Sequence, residues 1–187
     1  MWLRLSILVI IVGSVAVAQT ARVIDTGRST ITVEAYKTGL FSFAGHNHTI
    51  SAPIASGTLD EGQRTIELTV NTKDLQVLDP GESDKDRHEI RETMLGDQLL
   101  DADKFPTITF HSSSVQPTSK TEFSVKGELS LHGTTRVISL NISRNGDQYA
   151  GSTTLKQTDF GMKPIAVAGG TIKVKDEVKV EFVVVPK

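Results

Sequence analysis

Thr121-Glu-Phe-Ser-Val-Lys-Gly-Glu-Leu-Ser-Leu-His132 is the stretch whose reading decides the fold. Phe123, Val125, Leu129 and Leu131 fall on one side of an extended chain, while Ser124, Lys126, Glu128, Ser130 and His132 fall on the other. Alternation with a period of two marks an antiparallel strand with one face in the core and one in water. The pattern recurs in Ile31/Val33/Ala35, Ile66/Leu68/Val70, Ile108/Phe110, Ile138/Leu140/Ile142 and Ile172/Val174/Val178/Val180/Phe182/Val184. Turn signals separate the runs: Asp25-Thr-Gly27, Glu61-Gly62, Gly133, Asn145-Gly146 and Gly169-Gly170. Asn145-Gly146 between two such runs predicts a hairpin, and Pro53 predicts an edge or a bulge.

One segment breaks the rhythm. Between Ser83 and Leu95, Ile90 and Met94 stand four apart among charged residues, which predicts a short helix capped by Ser83 or Asp84 and ended by Gly96. Asp84, Asp86 and Glu89, mixed with Lys85, Arg87 and Arg91, read as its solvated face. The expected fold class is all-β, of about eight antiparallel strands with a short helical insertion. So many one-sided strands must bury their apolar faces in a closed barrel or a sandwich, and the pattern alone does not separate the two. A barrel of about eight strands is either filled by side chains or holds one small ligand.

The first residues read as a leader. One positive charge in Met1 to Arg4, an apolar run from Leu5 to Val12 and Ala16-Val17-Ala18 have the order of a secretory signal peptide. Residues 1–18 are expected to be removed, leaving 19–187 as a single domain that is periplasmic or secreted. Loss of Arg4 leaves 19 basic and 22 acidic residues, a formal charge of −3, with no basic cluster for nucleic acid. The chain has no cysteine, hence no lipobox, no disulfide and no thiol nucleophile.

His46 and His48 lie two apart, so on an extended backbone both imidazoles project from one face, as a two-histidine metal site requires. A site of three or four ligands would draw further on His88, His111 or His132. The alternative is a polar rim whose ring nitrogens bond to backbone or water. No Gly-x-Ser-x-Gly and no telling Ser/His/acid spacing occurs, so no catalytic residue is assigned. Phe41 and Phe43 alternate with serine, and Phe110, Phe123 and Phe182 sit on apolar strand faces, where they form either a filled core or the wall of a tunnel.

Several segments together resemble the YceI-like family. These are Val23-Ile-Asp25 with Ser29 to Val33, the helix running into Met94-Leu95 and on through Leu100 to Phe110, Val125 to Val137, and Thr158-Asp-Phe-Gly161 with Val174 to Val178. Where the family has one histidine, this chain carries Gly45-His46-Asn47-His48. The resemblance implies an exported, lipocalin-like barrel without enzymatic activity or cofactor, which binds a polyisoprenoid or fatty-acid-like amphiphile for carriage, storage or sequestration. On that reading Phe41, Phe43, Met94, Leu95, Phe110, Phe123 and Phe182 would line the apolar tunnel, and His46, His48 and Arg91 the polar mouth. The partners expected are the hydrophobic ligand and a transient membrane donor or acceptor. The rival readings are a metal-binding or metal-dependent protein centred on His46 and His48, and an interaction module that forms a homodimer through a strand edge.

Overall fold

The computed structural model describes residues 21–39 and 47–187. The expected leader, and with it Phe41, Phe43 and His46, therefore lie outside the described residues. Twelve strands appear in chain order: β1 Arg22–Val23, β2 Thr30–Thr38, β3 His48–Ser51, β4 Ile54–Asp60, β5 Thr65–Asn71, β6 Gln76–Val77, β7 Thr107–Pro117, β8 Glu122–Leu131, β9 Thr134–Asn145, β10 Gln148–Lys156, β11 Ala166–Val167 and β12 Ile172–Val184. Among the described residues one α-helix, α1, spans Asp84–Leu95 between β6 and β7. All pairings are antiparallel, along the path β1-β4-β5-β7-β8-β9-β10-β12-β2-β3-β6, with β11 against β12.

The count exceeds eight for a simple physical reason. Among the described residues, the strands of seven residues or more are the eight β2, β4, β5, β7, β8, β9, β10 and β12. The others are two to four residues long, and β3 is parted from β4 at Ala52-Pro53 because proline has no N–H for a ladder.

The sheet curls because β1 reaches back to the last strand. Ile24 bridges Pro186, the Asp25 amide donates to the Val185 carbonyl at 2.7 Å, and the Lys187 amide donates to the Val23 carbonyl at 2.8 Å. The short β1 thus stands between β4 and the continuation of β12, making a barrel with two distinct ends. The turn end carries the tight β4–β5, β7–β8 and β9–β10 connections and the chain's last residues. The helix end carries α1 and the longer connections.

α1 forms as the sequence dictates. The Ser83 hydroxyl accepts from the Asp86 amide at 3.2 Å, and Gly96 stops the helix. Met94 is buried, with Ile90 and Leu95 packed beside it, against Leu75, Val77, Leu100, Phe160 and Met162 at the helix end. The charged face is solvated as expected at Asp84, Lys85, Asp86 and Glu89, and differs at its two arginines. Arg87 donates to the carbonyls of Asp79 (3.3 Å) and Glu82 (2.5 Å), and Arg91 to those of Leu75 (2.8 Å) and Lys73. A guanidinium carries five donors and satisfies carbonyls that irregular backbone leaves unpaired, so these arginines tie the helix to the segment before it.

Two segments far apart in sequence are also joined. The Thr158 amide and hydroxyl donate to the Asp176 carboxylate at 2.9 and 2.7 Å, and the Gln157 amide side chain donates to the Lys175 carbonyl at 2.7 Å. Asp176 sits where the β12–β2 register slips between Val174 and Val178. The two donated bonds hold its carboxyl below the usual carboxylate range.

Candidate functional site

Inward-facing positions of the long strands do not meet at the barrel centre. They enclose a cavity of about 170 Å³, walled by residues such as Ile31, Leu68, Phe110, Leu140, Leu155 and Phe182. Among the described residues around it only Thr109, Tyr149 and Thr153 carry a polar side-chain atom. A space so lined has too few partners to hold ordered water, and an apolar cavity of ~150 Å³ is known to stay dry and take up a benzene ring. What it can do chemically is remove hydrocarbon from water, at about 25 cal/mol per Å².

Two glycines let aromatic rings lie close to the strands in this wall. A Cβ on Gly127 of β8 would fall 2.4 Å from the Phe110 ring, and one on Gly151 of β10 would fall 2.7 Å from the Phe182 ring. Each phenyl ring therefore packs against a strand where a side chain is missing, on the wall of the cavity. Neither glycine stands out in the sequence as a site residue. The only signal is a glycine interrupting an otherwise alternating strand.

The expected tunnel residues are distributed rather than gathered. Phe110 and Phe182 line the central cavity. Phe123 lines a second one of about 120 Å³ at the turn end. Met94 and Leu95 belong to the packed cluster under α1. Of the expected polar mouth, His48 and Arg91 lie at the helix end, each bonded to the protein itself. The His48 Nδ1 lies 2.7 Å from a carboxylate oxygen of buried Asp79, whose other oxygen accepts from the Thr49 amide at 2.7 Å. This latch fastens the segment after β6 to β3. Arg91 is held by the Leu75 and Lys73 carbonyls. Tyr149, which the sequence reading did not single out, lines both cavities and donates to the Glu61 carboxylate at 2.9 Å. Burial, reinforced by that bond and by the charge on Glu61, pushes its phenol up to about 12.

Among the described residues no three His, Cys, Asp or Glu side chains converge as metal ligands. His111 pairs with Glu67 at 3.1 Å, and His132 lies 3.2 Å from the Phe160 carbonyl with its ring edge-on to Phe105.

Comparison with known proteins places this geometry in a family. The YceI-like domain matches residues 23–185, so the chain belongs to the YceI-like family. A UPF0312 protein of Vibrio cholerae is 34% identical over 120 residues, which is 59% of either chain. The chain thus spans about three-fifths of the length of that relative. A UPF0312 protein of a Shewanella strain is 26% identical over 153 residues, 75% of this chain and 76% of its own. Two solved structures share the fold. BcnA of Burkholderia cenocepacia has a TM-score of 0.61 at 17% identity, over 88% of this chain and 99% of its own. A polyisoprenoid-binding domain of Saccharophagus degradans, implicated in plant cell wall breakdown, has a TM-score of 0.59 at 16% identity, over 87% of this chain and 95% of its own.

Proposed function

We propose that this YceI-like protein is an exported, non-enzymatic carrier that holds the apolar chain of a polyisoprenoid, or of a similar single-chain amphiphile, inside its barrel. The observation that carries the reading is the apolar cavity inside the barrel, a space that a filled core would have closed. Water gains nothing there, whereas hydrocarbon is stabilised in proportion to the area it buries. The polyisoprenoid-binding domain of similar fold supports the ligand class, and the leader-like residues 1–18 support export to the periplasm or medium. The protein works without a cofactor; the lipid is its cargo, collected from and delivered to membranes. The metal-centred alternative gains no support among the described residues, where no further His, Asp or Glu completes a set of three ligands around His48.

The size of the cavity sets the stoichiometry at one chain. At about 170 Å³ it has room for a ring-sized length of hydrocarbon and not for two chains side by side. The test is native mass spectrometry of the full chain, produced with its leader and purified without detergent, followed by solvent extraction. A one-to-one adduct of lipid mass, released by solvent and absent from Thr153→Phe, is the expected result. Phenylalanine at that position points an aromatic ring into the space without removing any hydrogen bond found for Thr153. A bare protein mass, or an adduct retained by Thr153→Phe, overturns the reading.

A further inference from the structure

The second cavity, at the turn end, has different walls from the first. Leu59, Ile66, Ile142 and Tyr149 line both spaces, so the two are chambers of one passage divided by those side chains. Asp60, Glu61, Arg64 and Arg144 rim the outer chamber. Most of this charge is engaged. Asp60 accepts from the Gln63 amide at 2.8 Å within its own turn. Glu61 accepts from the Tyr149 hydroxyl and lies 3.5 Å from Arg144 and 3.8 Å from Arg22. Arg144 also donates to the Gly146 carbonyl and sits over the Tyr149 ring.

Arg64 is the exception. It stands exposed on the β4–β5 turn with a φ of 56°, and among the described residues no hydrogen bond or ion pair engages its guanidinium. Arg64 thus borders the mouth of a passage into hydrocarbon with no anion from the described residues on its guanidinium. An amphiphile threaded from this end would bring one.

We propose that the outer chamber takes an anionic head group, a carboxylate or a phosphate, with Arg64 as its counter-ion and the Tyr149 side chain as the gate to the inner cavity. The inference rests on the carrier reading above, and it moves the head group from the helix end to the turn end. Tyr149 must swing off Glu61 for a chain to pass, and its hydroxyl can then donate to the head-group oxygen in place of Glu61. A charged head held by a fork of N–H donors is favoured over a neutral one of equal chain length.

Titration calorimetry of the full chain with dodecanol, dodecanoate and dodecyl phosphate separates the parts, since the three share one tail. Both anions are expected to bind roughly tenfold more tightly than the alcohol, as for a hydrogen bond to a charged group, and to lose this margin at high salt. Arg64→Gln is expected to erase the margin and leave dodecanol unchanged. Tyr149→Phe is expected to weaken the anions more than the alcohol. The tighter of the two anions identifies the source as a free fatty acid or a lipid phosphate. Equal affinity for all three ligands, or a margin that survives Arg64→Gln, overturns this inference and leaves the carrier standing. Failure of all three to bind overturns both.

Discussion

At the helix end His48, Asp79, Arg87 and Arg91 are joined to each other or to backbone carbonyls, around packed side chains of Met94, Leu100, Phe160 and Met162. At the turn end Glu61, Arg144 and Arg22 gather on one tyrosine beside a cavity, and Arg64 borders the same cavity with no partner among the described residues. Both ends are rich in ionisable groups, so abundance of charge does not mark a site. What differs is the presence of space next to the charge. Buried polar groups without adjacent space must be satisfied internally, and at the helix end they are.

Breaking the latch is the strongest test of that contrast. Asp79→Ala strands the Thr49 amide and His48, and is expected to lower stability by about 3 kcal/mol in urea unfolding while leaving dodecanol affinity unchanged. Next comes the wall between the ends. Gly127→Ala places a methyl group where the Phe110 ring lies, and is expected to lower stability by about 2 kcal/mol and weaken dodecanol at the same time. Removing the helix cap with Ser83→Ala is expected to lower stability by about 1 kcal/mol without touching binding.

The smallest effect on stability belongs to the turn end. Glu61→Gln, in a half-exposed cluster, is expected to change stability by less than about 1 kcal/mol. Its signature lies instead in the alkaline titration. The Tyr149 phenol rises from 10.0 to about 12 on folding, which means the fold favours the neutral form. The corresponding stability is fully present below the unfolded value of about 10 and is lost as pH climbs through about 12. Glu61→Gln is expected to bring the phenolate transition part of the way down, because burial, the larger cause, persists. Phenolate absorbance follows it directly, against Tyr36 as the only other tyrosine in the chain. An unmoved transition would mean that burial alone holds the proton.

Much of the architecture is legible from residues in order. The alternation in Phe123 to Leu131, the hairpin signalled by Asn145-Gly146, which turns on Gly146 and Asp147, the break at Pro53 and the Ser83 cap all appear where local chemistry places them, to within a residue. Each depends on neighbours within a few positions, which is the range over which backbone preference and side-chain periodicity act. Arg91 shows where that range ends. On a helical wheel it belongs with the solvated charges, and only the course of residues 73–75 past the helix gives it carbonyls to bind. His48 is similar, since its partner Asp79 arrives from 31 positions away.

The sequence by itself determined a one-sided antiparallel sheet, its turns, its single helix and its family resemblance, because these follow from short-range pattern. Tertiary structure alone decided that the barrel keeps a cavity, beside two phenyl rings lying over glycines on neighbouring strands, Phe110 on Gly127 and Phe182 on Gly151. It decided equally which ends carry which charges, since Tyr149, Glu61, Arg64 and Arg144 come from two strands and one turn that meet only when the sheet curls. Volume and convergence are properties of packed surfaces, and no periodicity along one strand contains them.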